Sequence, residues 1–193
     1  MRASSVLAVS VTTLILLLNG CRAQSNAASP FTADFITSST VLPTHSGKLY
    51  VSGNRLRADW GDMSDIFDLK TRKGWRIFQS SKVYMELGTK DLSTYAPEME
   101  NGSVCPHAEV PSSCKLIGSE VVENRAAKKW DLYNPNKGFH VYFWTDEAQE
   151  VTLRMEIGDT ATYQVKNVHN GSVPDGMFEL PTGFQKIERR FKP

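Results

Sequence analysis

The sequence holds little of what most catalytic or metal sites are built from. There are three cysteines, Cys21, Cys105 and Cys114, and no Cys-x-x-Cys pair. Four histidines, His45, His107, His140 and His169, are scattered with no two at ligand spacing on one element. Cys105, His107 and Cys114 together lack a fourth zinc ligand, so a structural metal is not expected. There is no Gly-x-Ser-x-Gly elbow and no Gly-rich phosphate loop, so neither a serine hydrolase nor a nucleotide enzyme is announced. No cofactor is expected. Charge is balanced, with Lys+Arg 22 against Asp+Glu 21. A nucleic-acid partner needs a basic face, and none is indicated.

A long hydrophobic run is also missing. Apolar residues dominate from Val6 to Leu18, with Arg2 the one charge before Arg22. Crossing about 30 Å of hydrocarbon takes about 20 apolar residues. This stretch is shorter, and Ser10, Thr12 and Thr13 interrupt it, so it reads as an export signal. An ordinary signal peptidase could cut before Gln24. Alternatively, Leu18-Asn19-Gly20-Cys21 resembles the lipobox of bacterial lipoproteins, which implies lipid on the Cys21 thiol and cleavage before it. The cysteine count fits that reading, since an exported chain with an odd number of cysteines otherwise keeps a spare thiol. Cys105 and Cys114 would then pair across "CPHAEVPSSC". A loop this short restricts the unfolded chain by about 2–3 kcal/mol in the loop-entropy account. Residues 21–30, small and polar after the cysteine, suit a tether. Arg22 follows the cysteine where an inner-membrane retention signal would place Asp. Asn101-Gly-Ser and Asn170-Gly-Ser match the glycosylation sequon and read as ordinary turns.

What is present is alternation. In "KLYVSGNRLRADW", Leu49 and Val51 share one face, and Leu56, Ala58 and Trp60 continue it after a Gly53-Asn54 turn. "DIFDLKTRKGWRIF" turns near Arg72-Lys73-Gly74, and "KVYMEL" places Val83, Met85 and Leu87 together. Further hairpins turn at Asn124-Arg125, Asp146 to Gln149 and Gly158-Asp159. About ten strands are counted, with no βαβ pattern. In "FHVYFW", Phe139, Val141 and Phe143 face one way and Tyr142 and Trp144 the other. Both faces are apolar, so a helix, the 88–113 segment or an apolar ligand is expected over the second. Residues 88–113 lack alternation, carry three of the nine prolines and allow a short helix from Thr89 or Asp91 that Pro97 limits. An insertion of this kind, running to Cys114, is either a lid or a stapled surface excursion.

"FTADFITSS", "GKLYVSGNRLRADW", "SDIFDLKTRKGWRIFQSSKVYMEL", "WDLYNPNKGFHVYFWTDEAQEVTLRME" and "FELPTGFQKIE" together resemble an uncharacterised family of bacterial envelope proteins. That family is distantly similar to the lipoprotein carrier superfamily of LolA, LolB and LppX. The resemblance spans roughly residues 31–190. It implies a mainly β fold: a curved, unclosed antiparallel β-sheet with a short helix or loop against its concave side, forming one domain over residues 31–193. In the characterised relatives that hollow accepts acyl chains. The expected function is therefore non-enzymatic binding of a lipid or acyl chain at the cell envelope. A structural or sensory protein-interaction module is the alternative, and a hydrolase with no sequence signature a lesser one.

Tyr50, Trp60, Trp75, Phe78, Tyr84, Phe143 and Trp144 are candidates to line a pocket, against the ordinary reading that aromatics form core. Arg55 and Arg57 are candidates for an anionic head-group site, against the reading that they pair with acids on neighbouring strands. Asp65, Asp68, Glu98 and Glu100 read as solvated acids of turns and loops.

Overall fold

The structure, a computed structural model, describes residues 29–97 and 113–188. The signal segment 1–20, Cys21, most of the tether and Cys105 lie outside the described residues, as does the 98–112 part of the insertion.

Among the described residues, twelve strands form one sheet. The first six are β1 (Phe31–Ser39), β2 (His45–Ser52), β3 (Arg55–Trp60), β4 (Met63–Asp68), β5 (Lys73–Phe78) and β6 (Val83–Leu87). A single turn of helix, α1 (Thr89–Leu92), follows. Then come β7 (Ser113–Val122), β8 (Arg125–Asn134), β9 (Phe139–Asp146), β10 (Thr152–Ile157), β11 (Ala161–Asn170), a 3-10 turn at Asp175–Phe178 and β12 (Gln185–Lys186). The order across the sheet is β12-β6-β5-β4-β3-β2-β1-β11-β10-β9-β8-β7. Two meanders meet at the β1–β11 ladder, and the two ends of the sheet do not pair with each other. Every ladder is antiparallel except β12 with β6, which makes the sheet mixed.

The turns follow local chemistry. Gly53 supplies a φ of 57° to the β2–β3 loop, the conformation a two-residue hairpin loop needs at its first position. Glu123 and Asn124 both take positive φ between β7 and β8. Curvature has a local cause as well. Phe35 stands opposite Gly47 and Phe67 opposite Gly74 across their ladders. A Cβ on Gly47 would lie 2.7 Å from the Phe35 ring, and one on Gly74 2.7 Å from Cδ1 of Phe67. The rings lie over the glycines and hold the strands close.

The two faces of the first meander are buried differently. Phe31, Ala33, Phe35, Leu49, Val51, Leu56, Ala58, Phe67 and Leu87 share one face and form the main core with Leu92, Tyr95 and Ala96. The opposite face carries Tyr50, Ile66, Trp75, Ile77 and Tyr84. The C-terminal segment covers it with Val173, Met177, Phe178, Leu180 and Phe184. The rings of Phe67 on β4 and Tyr163 on β11 both lie within 6.2 Å of the Tyr95 centroid. Those strands are four positions apart, roughly 19 Å on a flat sheet. The face bearing them is therefore concave, with Tyr95 at its centre.

Candidate functional site

The concave face is closed by residues 88–97, a strap running from the end of β6 to the start of β10. Its helix is a single turn, Thr89–Leu92, ending well within the limit set by Pro97. The Gly88 N–H donates to Asp91 at 3.0 Å, and the Leu92 carbonyl accepts from the N–H groups of Tyr95 and Ala96, each at 2.9 Å. Leu92 is fully buried. The Tyr95 ring meets Phe35 edge-on at 6.1 Å, Phe67 at 6.1 Å and Tyr163 edge-on at 6.2 Å.

Two sets of hydrogen bonds hold the far end of the strap. The Thr152 N–H donates to the Tyr95 carbonyl at 2.7 Å. The Arg72 guanidinium donates to the carbonyls of Ala96, at 3.0 Å, and Pro97, at 3.3 Å. All of these acceptors belong to the strap and all of the donors to the sheet and its turns.

Beneath the strap the concavity is not purely apolar. Asp65 has no exposure and receives two hydrogen bonds from Arg76, both 2.7 Å. The same guanidinium lies 5.1 Å from the Trp60 ring centroid. The sequence reads Asp65 as a solvated acid of a turn. It lies instead in β4 at the inward parity of Met63 and Phe67, opposite Ala58 and Arg76. The buried polar atoms Trp60 Nε1, Thr152 Oγ1 and Tyr163 Oη make no hydrogen bond among the described residues. Burial pushes the Tyr163 phenol well above its ordinary range. It raises the Tyr95 phenol too, with the charge of Asp65 adding to the effect. The hydrogen bond to Asp65 raises the Arg76 guanidinium in turn.

The aromatic set anticipated for a pocket divides between locations. Trp60 and Phe78 lie in one row across β3, β4, β5 and β6 with Met63 and Val83, on the strap side. Tyr50, Trp75 and Tyr84 lie on the other face, beneath the C-terminal segment. Arg55 and Arg57 clamp that segment. Arg55 bonds Asp175 at 2.5 Å and lies 4.7 Å from the Phe178 ring centroid. Arg57 bonds Asp59 at 2.7 Å, Ser64 at 3.1 Å and the Met177 carbonyl at 2.9 Å. Both arginines are ion-paired, but not with acids on neighbouring strands as expected: Asp59 lies on the same strand as Arg57, and Asp175 lies in the C-terminal 3-10 turn. Phe143 is half-buried in β9. Trp144 is buried, donates from Nε1 to Glu120 at 2.7 Å, and has Lys129 and Arg154 at 4.6 Å and 4.7 Å from its ring centroid. Cationic side chains from neighbouring strands thus flank that ring, in the place expected for a helix, the insertion or a ligand.

Tyr95, Tyr163, Arg72, Arg76 and Thr152 are not among the candidate site residues read from the sequence. Strand parity alone would have turned Asp65 and Arg76 inward. The strap contacts of Tyr95 and Arg72 carry no such local signal. No group of three His, Cys, Asp or Glu side chains that could hold a metal ion occurs among the described residues.

Solved structures similar to this chain include an uncharacterised conserved protein from Thermus thermophilus, with a TM-score of 0.51, 12% identity, and coverage of 83% of this chain and 91% of that one. PNGF-II is similar at a TM-score of 0.55 and 8% identity, over 84% of this chain but 32% of the PNGF-II chain. A LolA superfamily protein from Nitrosomonas europaea is also similar, with a TM-score of 0.36, 9% identity, and coverage of 78% and 90%. No family model matches the chain, and no curated protein sequence does. The likeness to the first two, at TM-scores above 0.5 and low identity, shows the fold alone.

Proposed function

We propose that this chain is a non-enzymatic binding protein of the bacterial cell envelope, held to a membrane by lipid on Cys21, which takes up the acyl portion of a ligand on its concave face by displacing the strap 88–97. One observation carries the reading. The strap fills the centre of a concave core with Leu92, Tyr95 and Ala96 over polar groups, Tyr163 Oη and Thr152 Oγ1, that find no partner among the described residues. An unmade hydrogen bond on a buried group costs about 1–3 kcal/mol. With the strap closed both groups stay unpaired, whereas lifting it lets water reach them, which offsets part of the cost of displacing Leu92, Tyr95 and Ala96. Leu56, Phe67, Phe35 and Tyr163 would then bury an acyl chain at about 25 cal/mol per Å² of apolar surface. Trp60 and Phe78 extend that surface toward the β3–β4 turn.

The test is titration with a fluorescent fatty acid. Saturable one-to-one uptake, competed by the unlabelled acid, is the expected result; no uptake by either the parent chain or a Tyr95→Ala variant overturns the reading. The address has its own check. Intact mass of the membrane-extracted protein should correspond to a chain starting at Cys21 with diacylglyceryl added, and a chain starting at an unmodified Gln24 contradicts it. Non-reducing peptide mapping should join Cys105 to Cys114.

A second reading has one observation in its favour. β7 is a ten-residue edge strand on which Leu116, Ile117 and Val121 are 50%, 43% and 75% exposed. Long apolar edges accept strands from other chains, so a protein-interaction module that uses this edge is the alternative.

A further inference from the structure

At the far end of the strap lies an open cleft of about 480 Å³, lined by Lys70, Arg72, Ala96, Pro97, Gln149 and Glu150 among others. Its chemistry differs from that of the concavity beside it. Arg72 and Lys70 bring positive charge from the β4–β5 turn, and Glu150 brings negative charge from the β9–β10 turn. Gln149 is 6% exposed; its Nε2 donates to the Ser29 carbonyl at 2.9 Å, while its Oε1 is buried with no hydrogen-bond partner among the described residues. That oxygen calls for a donor. Arg72 and Glu150 also stand at φ of 55° and 56°, where glycine would be accommodated at least cost. Side chains are kept at both positions all the same.

We propose that the turn residues of this cleft, Lys70, Arg72, Gln149 and Glu150, form the head-group subsite for the ligand of the concavity once Ala96 and Pro97 of the strap have lifted away, and that the head group is a phosphodiester carrying an ammonium, as in phosphoethanolamine. The proposal rests on the acyl-binding reading above. Phosphate oxygens take the Arg72 donors that now hold the Ala96 and Pro97 carbonyls, and Lys70 supplies a second cation. The ammonium donates to Gln149 Oε1 and faces Glu150. Strap closure and head-group binding therefore compete for the same guanidinium, so a bound phosphate holds the strap open while the acyl chains enter. A bare hydrocarbon or a neutral diglyceride has nothing to exchange for the strap carbonyls.

The full chain, reconstituted in mixed micelles with equimolar dioleoyl-phosphatidylethanolamine, dioleoyl-phosphatidylcholine and dioleoylglycerol, tests this by native mass spectrometry. Phosphatidylethanolamine should be bound in about tenfold excess over dioleoylglycerol, since one charge-assisted contact set is worth about one decade. It should also exceed phosphatidylcholine, whose ammonium has no N–H. Lys70→Gln should narrow the first preference and Glu150→Gln the second. Equal occupancy by all three lipids overturns the head-group subsite and leaves the acyl reading standing. Phosphatidylcholine bound as well as phosphatidylethanolamine overturns the ammonium assignment. No bound lipid of any kind overturns the acyl reading itself.

Discussion

Replacing Tyr95 with alanine should loosen the strap without dismantling the sheet. The ring is 8% exposed and touches three aromatic rings at centroid distances of 6.1 Å, 6.1 Å and 6.2 Å. Large-to-small changes at buried aromatics cost about 3–5 kcal/mol. The strap can settle partly into the space, which argues for the lower end, about 3 kcal/mol. At about 1.4 kcal/mol per decade, that favours the open strap about 100-fold. Amide exchange reads this directly, because the Thr152 N–H is bonded to the Tyr95 carbonyl. In the parent chain Thr152 should exchange faster than the amides of β1 and β11, by local opening. In Tyr95→Ala it should lose its protection while β1 and β11 keep measurable protection. If Thr152 and the β1–β11 amides show the same protection in both proteins, the strap does not open as a separate unit and the reasoning fails.

Alkaline pH should destabilise the fold. Tyr95 and Tyr163 ionise near 10 in the unfolded chain but are raised in the folded one by burial, so the folded state holds protons that the unfolded state releases. The stabilisation is complete below pH 10 and declines above it, by up to about 1.4 kcal/mol per pH unit for each phenol. A urea midpoint flat from pH 9 to 11.5, or one no flatter in Tyr163→Phe, would contradict this. Gly74→Ala should cost about 1–3 kcal/mol or more in chemical denaturation, because the new Cβ would lie 2.1 Å from the Ile66 carbonyl oxygen, and backbone cannot move aside. A silent substitution there would mean the strands are not so close. Arg76→Met should cost about 3–5 kcal/mol, since it removes a bidentate partner from a carboxylate with no exposure. Asp65→Asn should cost less, because the Arg76 side chain is 23% exposed and can turn toward water. Equal unfolding midpoints for the two variants would show that burial does not set the difference.

Much of the fold was legible because hairpins are local. Gly53, Asn124 and Gly158 mark turns that the structure contains, and the parity of Leu49, Val51, Leu56 and Ala58 matches their burial. A short helix from Thr89 or Asp91 is anticipated with Pro97 as its limit; the observed one begins at Thr89 and ends earlier, at Leu92. The remainder depends on contacts distant in sequence. No local pattern says that β1 joins β11 at the centre, or that two residues near the C-terminus form a parallel β12 and bring the count to twelve. Nor does it say that Val173 to Phe184 cover the face holding Tyr50, Trp75 and Tyr84. The candidate site was legible only in part. Trp60 and Phe78 were identified by aromatic content and alternation. Tyr95 and Arg72, in a segment and a turn without periodicity, acquire their role only when the strap crosses to Thr152.

The most direct test of the acyl-binding account is native mass spectrometry of residues 24–193, exported to the periplasm and purified without detergent. The account predicts an added mass that extracts into organic solvent and is identified as lipid. A clean apo mass that persists after incubation with envelope lipids, in the parent chain and in Tyr95→Ala alike, would contradict it.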